Sequence, residues 1–381
     1  MDNSELNLLY IVFHGIDNYG GGIAKKLLSQ VRALKNLGVK TAFSYLNLED
    51  GNRYSGRSID GELLETYKTI AGKSVTWEWR IRFNKLLEYV IRNQVNVVYI
   101  RYTHFANPFF NRFLKNLKKR GVVVILEVPT FPYDQEYVNL SVSQKIIKRT
   151  EEIYRKRFKN LVDLVVSYTD VDAIFGVKTI KINNGIEIDK IKSRSHSSGN
   201  DLNIIAVASM EFWHGYDRLI EGMKDYYAQN VTTKVMLHFV GNSDNRESAK
   251  YKSMVEKYNL GEYVIFHGFK TGAALDEIFD AADLAVGCLA VHRKGITTAA
   301  SLKNSEYCAR GIPFIYSEID NSFEGKSFVY KIEPDESNVK IHELIGFINS
   351  MNVRSEEIRK YAENNLTWEI QMSKVLREIK R

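Results

Sequence analysis

Residues 292–314, HRKGITTAASLKNSEYCARGIPF, gather chemistry-bearing side chains into one polar run. Threonine and serine hydroxyls, the Lys303 cation and the Glu306 carboxylate stand just ahead of Gly-Ile-Pro and an apolar strand. Read alone, Lys303 and Glu306 are a solvated i,i+3 pair on a surface helix. Other clusters invite the same question. The first strand-to-helix turn, HGIDNYGGGIAKK, has three consecutive glycines, Gly20, Gly21 and Gly22. Their backbone can approach a ligand closely, and the helix start that follows favours an anion. A dinucleotide fingerprint needs a third glycine where Lys25 stands, which disfavours a nicotinamide cofactor. A loop lining a phosphate- or sugar-bearing cleft is the expectation.

Further candidates follow strands. YIRYTHFANPFF and ILEVPTFPYDQEY put Arg101, Tyr102, His104, Glu127, Tyr133 and Asp134 at strand ends, where active sites are built. Asp170-Val-Asp172 has the look of a metal-binding pair of carboxylates. It stands between a strand and an apolar-periodic stretch, so helix capping is expected, with no metal. Trp213, His214 and Gly215 mark one strand-to-helix junction, and His267-Gly268-Phe269 another.

The elements that must hold these groups form an alternating series. LLYIVFHG, KTAFSYLN, VNVVYIRY, VVVILEVP and LVVSYT read as strands with amphipathic helices between them, for example IAKKLLSQVRALKNLG with Leu27, Val31 and Leu34 on one face. LNIIAVASM, KVMLHFVG, YVIFHGF, LAVGCLA and IPFIYS begin a second series. Between the two, residues 192–200, KSRSHSSGN, lack hydrophobic periodicity and read as a linker. The fold class is therefore α/β: two doubly wound parallel-sheet domains, 1–191 and 201–363, facing a central cleft. Residues 364–381 form a closing helix expected to pack back on the first domain.

Composition narrows the partners. The 381 residues carry a net charge of +7. Residues 1–190 have 29 Lys and Arg against 20 Asp and Glu, and residues 191–381 have 24 against 26. The basic first half suits an anionic partner. VTWEWRIRFNKLLEYVIRN, FFNRFLKNLKKRG and SQKIIKRTEEIYRKRFKNLV interleave bulky apolar residues with Lys and Arg, as helices lying on an anionic bilayer do. No signature of a nucleic-acid-binding module is present. No apolar run is long enough to span a bilayer. Two cysteines without metal-site spacing and a polar N-terminal start favour a cytoplasmic protein, and the basic first half suits a peripheral position on the inner face of the plasma membrane.

In order, the Gly-rich turn, INNGIEID at 182–189, ASMEFWHGYDRLIEGM, FHGF, IFDAADLAVGCL and LKNSEYCARGIPFI resemble the retaining GT-B-fold glycosyltransferases of the large bacterial family 4 type. Members of that group build capsular polysaccharides and lipid-linked glycans from nucleotide-sugars. The resemblance implies that Glu306 holds the ribose hydroxyls. It implies that Lys303, Ser301, Leu302, His214, Arg293 and Lys294 face the diphosphate, and Phe269 and Lys270 the base. Gly21, Gly22, His292, Gly295, Thr297 and Thr298 would then line the donor-sugar cleft. Arg101, Tyr102 and Tyr133 would lie on the acceptor side, with Glu127, His104 and Asp134 at the catalytic centre. Two departures stand out. Thr298 occupies the place of the first glutamate of the family's E-x(7)-E motif, and Glu127 roughly that of a histidine.

What the resemblance implies is a metal-independent, retaining hexosyl transfer from a nucleotide diphosphate donor, with UDP as the family's prior, to a hydroxyl of a glycan or polyprenyl-phosphate-linked acceptor. No cofactor is implied. Two alternatives stay open at this point: a nucleotide-sugar epimerase of the same fold, and a non-catalytic binding or scaffold protein.

Overall fold

A computed structural model of the protein describes residues 2–15, 22–49, 53–67, 69–70, 73–74, 78–133, 141–195, 199, 201–242 and 245–380. The chain divides into two compact units, Met1–Asn183 with Trp368–Arg381, and Asn184–Thr367.

The first unit contains β1 (Asn7–Gly15), α1 (Gly22–Asn36), β2 (Lys40–Glu49), β3 (Arg53–Ile59), β4 (Glu62–Thr66), a short hairpin of β5 (Thr69–Ile70) and β6 (Lys73–Ser74), and α2 (Asn84–Arg92). It continues through β7 (Val97–Arg101), α3 (Pro108–Lys118), β8 (Val123–Val128), α4 (Val142–Arg155), β9 (Leu164–Ser167), β10 (Ala173–Ile174) and β11 (Val177–Lys181). Nine of these strands form one sheet in the order β10-β11-β9-β8-β7-β1-β2-β3-β4. From β11 to β2 the neighbours run parallel. The middle of β1 is buried on both faces, as a central strand covered by helices must be. One face packs against α2 and α3 through Leu86, Phe110 and Leu114. The other packs against Leu27, Val31 and Leu34 of α1.

Sequence periodicity missed two features here. β3 and β4 extend the sheet antiparallel from β2, although RYSGRSI and ELLET contain no apolar run. The expected cap at Asp170 and Asp172 is corrected too. Phe175 and Gly176 adopt φ values of 54° and 75° and close a β10–β11 hairpin, and Asp170 pairs with Lys181 at 2.9 Å.

The second unit contains β12 (Leu202–Val207), α5 (Tyr216–Tyr227), β13 (Val235–Val240), α6 (Arg246–Lys257), β14 (Val264–Phe266), α7 (Ala273–Asp280) and β15 (Leu284–Val286). It is completed by α8 (Leu302–Arg310), β16 (Phe314–Tyr316), β17 (Val329–Lys331), α9 (Ile341–Ser350) and α10 (Ser355–Asn365). Its six strands are all parallel, in the order β14-β13-β12-β15-β16-β17. The unit boundary falls at Asn183 and Asn184. Residues 192–195, read as linker in sequence, are held by the second unit. The Arg194 amide donates to the Arg310 carbonyl at 2.9 Å, its Nε to Gly311 O at 3.2 Å, and the Ser195 amide to Asp280 at 2.8 Å.

The last helix, α11 (Trp368–Ile379), belongs to the first unit. Trp368, Met372, Val375 and Leu376 are buried in the same cluster as Leu27, Val31 and Leu34 of α1.

Candidate functional site

In an open parallel sheet, ligands bind outside the carboxyl ends of the strands where the winding reverses. In the second unit that point lies between β12 and β15. Two loops meet there. Gly215, with φ +67°, sits so close that an added Cβ would stand 2.7 Å from Ala290 Cβ and 2.9 Å from its amide nitrogen. The Leu289 amide donates to the His214 carbonyl at 2.8 Å, which locks the loop after β12 to the loop after β15.

The second loop leads into α8. Ser301 is its N-cap residue but makes no side-chain capping bond. The first-turn amides are thus left uncapped by that side chain and favour an anion. Lys303 lies in this turn, with Nζ 3.5 Å from the Tyr216 hydroxyl and 5.9 Å from the centre of its ring. Burial lowers its pKa, against the pull of Cys288 and Glu318. His214 stacks on Tyr216, the ring centres 5.3 Å apart. Burial, then Lys303 and Lys294, depress its pKa to about 3, so the imidazole is neutral. The Glu211 amide donates to Nδ1 at 3.1 Å, which leaves the proton on Nε2 as a hydrogen-bond donor. A lysine, a neutral N–H donor and a helix start therefore converge at the reversal point. Such a set suits phosphate oxygens.

Glu306 lies one turn further along α8, its side chain 41% exposed. Arg310 Nε and Nη2 both donate to Glu306 Oε1 at 3.2 Å. Arg310 is itself fixed by Asp276 at 2.6 Å and stacks over Phe279. The clamp orients the carboxylate while Oε2 keeps its acceptor capacity for hydroxyls.

Beneath α8 lies a buried polar cluster. Asn304 Nδ2 donates to Glu318 Oε1 at 3.2 Å and to Asp320 Oδ2 at 3.3 Å. Glu318 Oε2 is buried without a hydrogen-bond partner, and burial pushes the Glu318 pKa up to about 7. A bridge pairs Thr298 with Ile319, the residue between the two carboxylates, and the Ile319 amide donates to Thr297 O at 2.8 Å.

In the first unit the reversal point lies between β1 and β7. Glu127 stands near it at the end of β8, fully buried. It pairs with Arg101 and accepts from Tyr99 at 2.7 Å, Gln30 at 3.1 Å, and Tyr10 and Tyr168 at 3.3 Å. Burial opposes its charge, but Arg101, Lys26 and these hydrogen bonds together hold its pKa below the usual carboxylate value.

Residues 187–324 match the family profile described as glycosyl transferases group 1. No curated protein matches the chain in sequence. Solved structures do match over its length. A glycosyltransferase from Rickettsia africae ESF-5 is 13% identical, with a TM-score of 0.64 over 98% of each chain. Sucrose-phosphate synthase from Thermosynechococcus elongatus is 15% identical, with a TM-score of 0.60 over 98% of this chain and 99% of its own. HepE of Anabaena in complex with UDP is 12% identical, with a TM-score of 0.57 over 98% of this chain and 100% of its own. The fold is GT-B.

Against that GT-B frame the expected residues sort clearly. Ser301, Leu302, Lys303 and His214 lie together at the reversal point of the second unit. Lys294 lies near them, its Nζ 4.5 Å from the Trp213 ring centre. Arg293 is corrected: its guanidinium is held by Asp217 at 3.0 Å and by Glu336, so it clamps the loop. His292 likewise contacts Glu336, at 2.8 Å. Gly295, with φ +68°, closes the turn that follows them, and Thr297 and Thr298 are exposed. Phe269 and Lys270 are exposed in the loop after β14.

In the first unit Glu127 and Arg101 are corrected to a sealed ion pair. Tyr102 and Tyr133 are corrected as well: both are buried, and their hydroxyls donate to Glu151 at 2.6 Å. His104, with φ +56°, stacks on Tyr133 with ring centres 3.5 Å apart. Gly22 opens α1, while Gly21 and Asp134 lie outside the described residues. Sequence reading overlooked Tyr216, which supports both His214 and Lys303. It also overlooked the Asn304–Glu318–Asp320 cluster, whose one visible signal was two acidic residues directly after an apolar strand in YSEID.

Proposed function

We propose that the protein is a retaining, metal-independent glycosyltransferase. It moves a hexosyl group from a nucleotide diphosphate donor to a hydroxyl of a glycan or polyprenyl-phosphate-linked acceptor in surface polysaccharide assembly. The observation that carries the reading is the convergence of Lys303, the neutral His214 Nε2–H and the α8 start at the reversal point of the second unit. UDP is the favoured nucleotide: HepE holds UDP in its crystal structure, and the trehalose-6-phosphate enzyme of E. coli was solved with UDP-2-fluoro glucose. Glu306, oriented by Arg310, takes the ribose hydroxyls. Phe269 and Lys270 lie toward the base. The sugar lies toward Thr297 and Thr298.

As the bond between the anomeric carbon and the phosphate oxygen breaks, negative charge grows on the diphosphate. Lys303, His214 and the helix amides stabilise it in place, without reorganising at the moment of transfer. The acceptor oxygen forms the new bond from the same face, and its proton passes to the departing diphosphate oxygen. A sealed Glu127 is consistent with a route that needs no carboxylate base. Its place in this proposal is to hold the first-unit strand ends in register through Arg101, Tyr99 and Gln30. A peripheral position at the inner face of the plasma membrane accompanies a lipid-linked acceptor.

The test is acceptor-dependent release of UDP from UDP-sugars, with the product's anomeric configuration read by NMR. The proposal expects retention, and a fall in kcat of about 10²-fold in Lys303→Met, the scale of losing one preorganised donor. Conversion of the donor without acceptor would assign an epimerase. Binding without turnover would assign a scaffold.

A further inference from the structure

The polar cluster beneath α8 has two acceptors and no donor to match them. Glu318 is 2% exposed and Asn304 fully buried, and Glu318 Oε2 and Asn304 Oδ1 have no hydrogen-bond partner. A buried acceptor in that state forfeits its hydration with nothing in return. Asp320 beside them is satisfied at both oxygens. Its Oδ1 accepts from the Ser322 amide at 3.1 Å and its Oδ2 from Asn304 at 3.3 Å. Of the two carboxyls, Glu318 is therefore the one whose ionised form is poorly held. A proton on Oε2 removes the buried charge and turns an orphan acceptor into a donor.

The place of this carboxyl gives the proton a consequence. Asn304, which donates to Oε1, follows Lys303 in the first turn of α8. The segment leading into that turn is laid along the carboxyls: the Ala299 amide donates to Ile319 O at 3.1 Å, and the Ile319 amide to Thr297 O at 2.8 Å. The Glu318 charge acts on Lys303, and on Cys288 in the loop after β15. Tyr216 of α5 and Tyr316 of β16 also feel it, and Asp320 adds a like charge. From β17, Lys331 donates to the Glu318 backbone carbonyl, and its charge is shared with Glu324 at 3.0 Å. An ionised Glu318 thus draws, from beneath the helix, on the lysine that faces the diphosphate.

We infer that Glu318 is a positioning residue of the diphosphate site, acting through Lys303, and that a nucleotide diphosphate bound at the start of α8 takes up a proton there. The inference rests on the donor reading given above and adds to it a dependence on pH. A bound diphosphate brings negative charge to the site, which disfavours a second anion beneath it. The carboxyl then holds its proton more tightly in the complex than in the free protein. By linkage, affinity falls as pH rises through the Glu318 titration, which lies at about 7 in the free protein. His214 is neutral throughout that range and adds no slope.

The experiment is isothermal titration calorimetry of UDP into the full-length protein at about pH 7.5, in two buffers of different ionisation enthalpy. The difference in heat counts the protons taken up. Wild type is expected to take up a measurable fraction of one proton, and Glu318→Gln, which keeps the shape and the Oε1 acceptor, much less. Between about pH 6.5 and 8.5 the wild-type Kd should rise, by up to about tenfold for each unit that binding adds to the pKa. The Glu318→Gln Kd should stay nearly flat. The wild-type count needs no variant: UDP binding without buffer dependence overturns the inference and leaves the donor reading standing. Undiminished uptake in Glu318→Gln also overturns it and assigns the proton to Lys303. No binding of UDP or GDP by wild type at any of these pH values overturns the donor reading, and the inference with it.

Discussion

Glu318 is the residue whose chemistry is least expected from its type. A carboxylate with one oxygen bonded to Asn304 and the other buried without a partner is poorly solvated, and burial raises its pKa from 4.5 to about 7. A raised folded-state pKa means that the folded protein binds the proton more tightly than the unfolded chain. The associated stability is fully present below about pH 4.5 and is lost as pH rises through about 7. Glu318→Gln should therefore flatten the dependence of Tm on pH across that window and melt higher than wild type at pH 8. Parallel melting curves for the two proteins would contradict this. Its neighbours show why single residues were unevenly legible. Lys303 and Glu306 stand in a run whose helix start and strand end can be read from sequence. Glu127 looked like a site residue because a carboxylate at a strand end often is one. The partners that seal it, Tyr10, Gln30, Tyr99 and Tyr168, come from four separate segments that only the folded sheet brings together.

Among the elements, the long parallel strands were legible because both faces are buried and the chain reads as apolar runs. β3 and β4 were not: the buried stretch of β3 is Gly56, Arg57, Ser58 and Ile59, with one apolar side chain among them, and β4 is a largely exposed edge strand, so neither reads as an apolar run. The hairpin at 173–181 was mistaken for a capped helix because Phe175, a non-glycine residue, takes the left-handed conformation that closes the turn. The linker reading of 192–200 failed at its first residues for a similar reason: a polar serine-rich stretch conceals Arg194, whose bonds run to backbone carbonyls distant in sequence. The element that matters most to the site is the junction at Gly215. Gly215→Ala puts a methyl group within 2.7 Å of Ala290 at φ +67°. It should cost about 2 kcal/mol or more in urea unfolding and weaken nucleotide binding together with stability. A variant with unchanged stability would show that the two loops are not interlocked as described.

At the scale of the whole molecule, the two-fold series of strands and helices was readable from the sequence, and the charge asymmetry between halves with it. The GT-B fold accounts for the first. The strand order of the second unit then makes one demand: a ligand at the β12–β15 reversal must be reached by α8 and the loop carrying His214. The most direct test of the account is thermal stabilisation by UDP and GDP in wild type, Glu306→Ala and Lys303→Met. Wild type should gain about 2.7 kcal/mol at a nucleotide concentration 100 times Kd, and both variants should lose most of that gain. No stabilisation of wild type by any nucleotide diphosphate, or undiminished stabilisation in both variants, would contradict it.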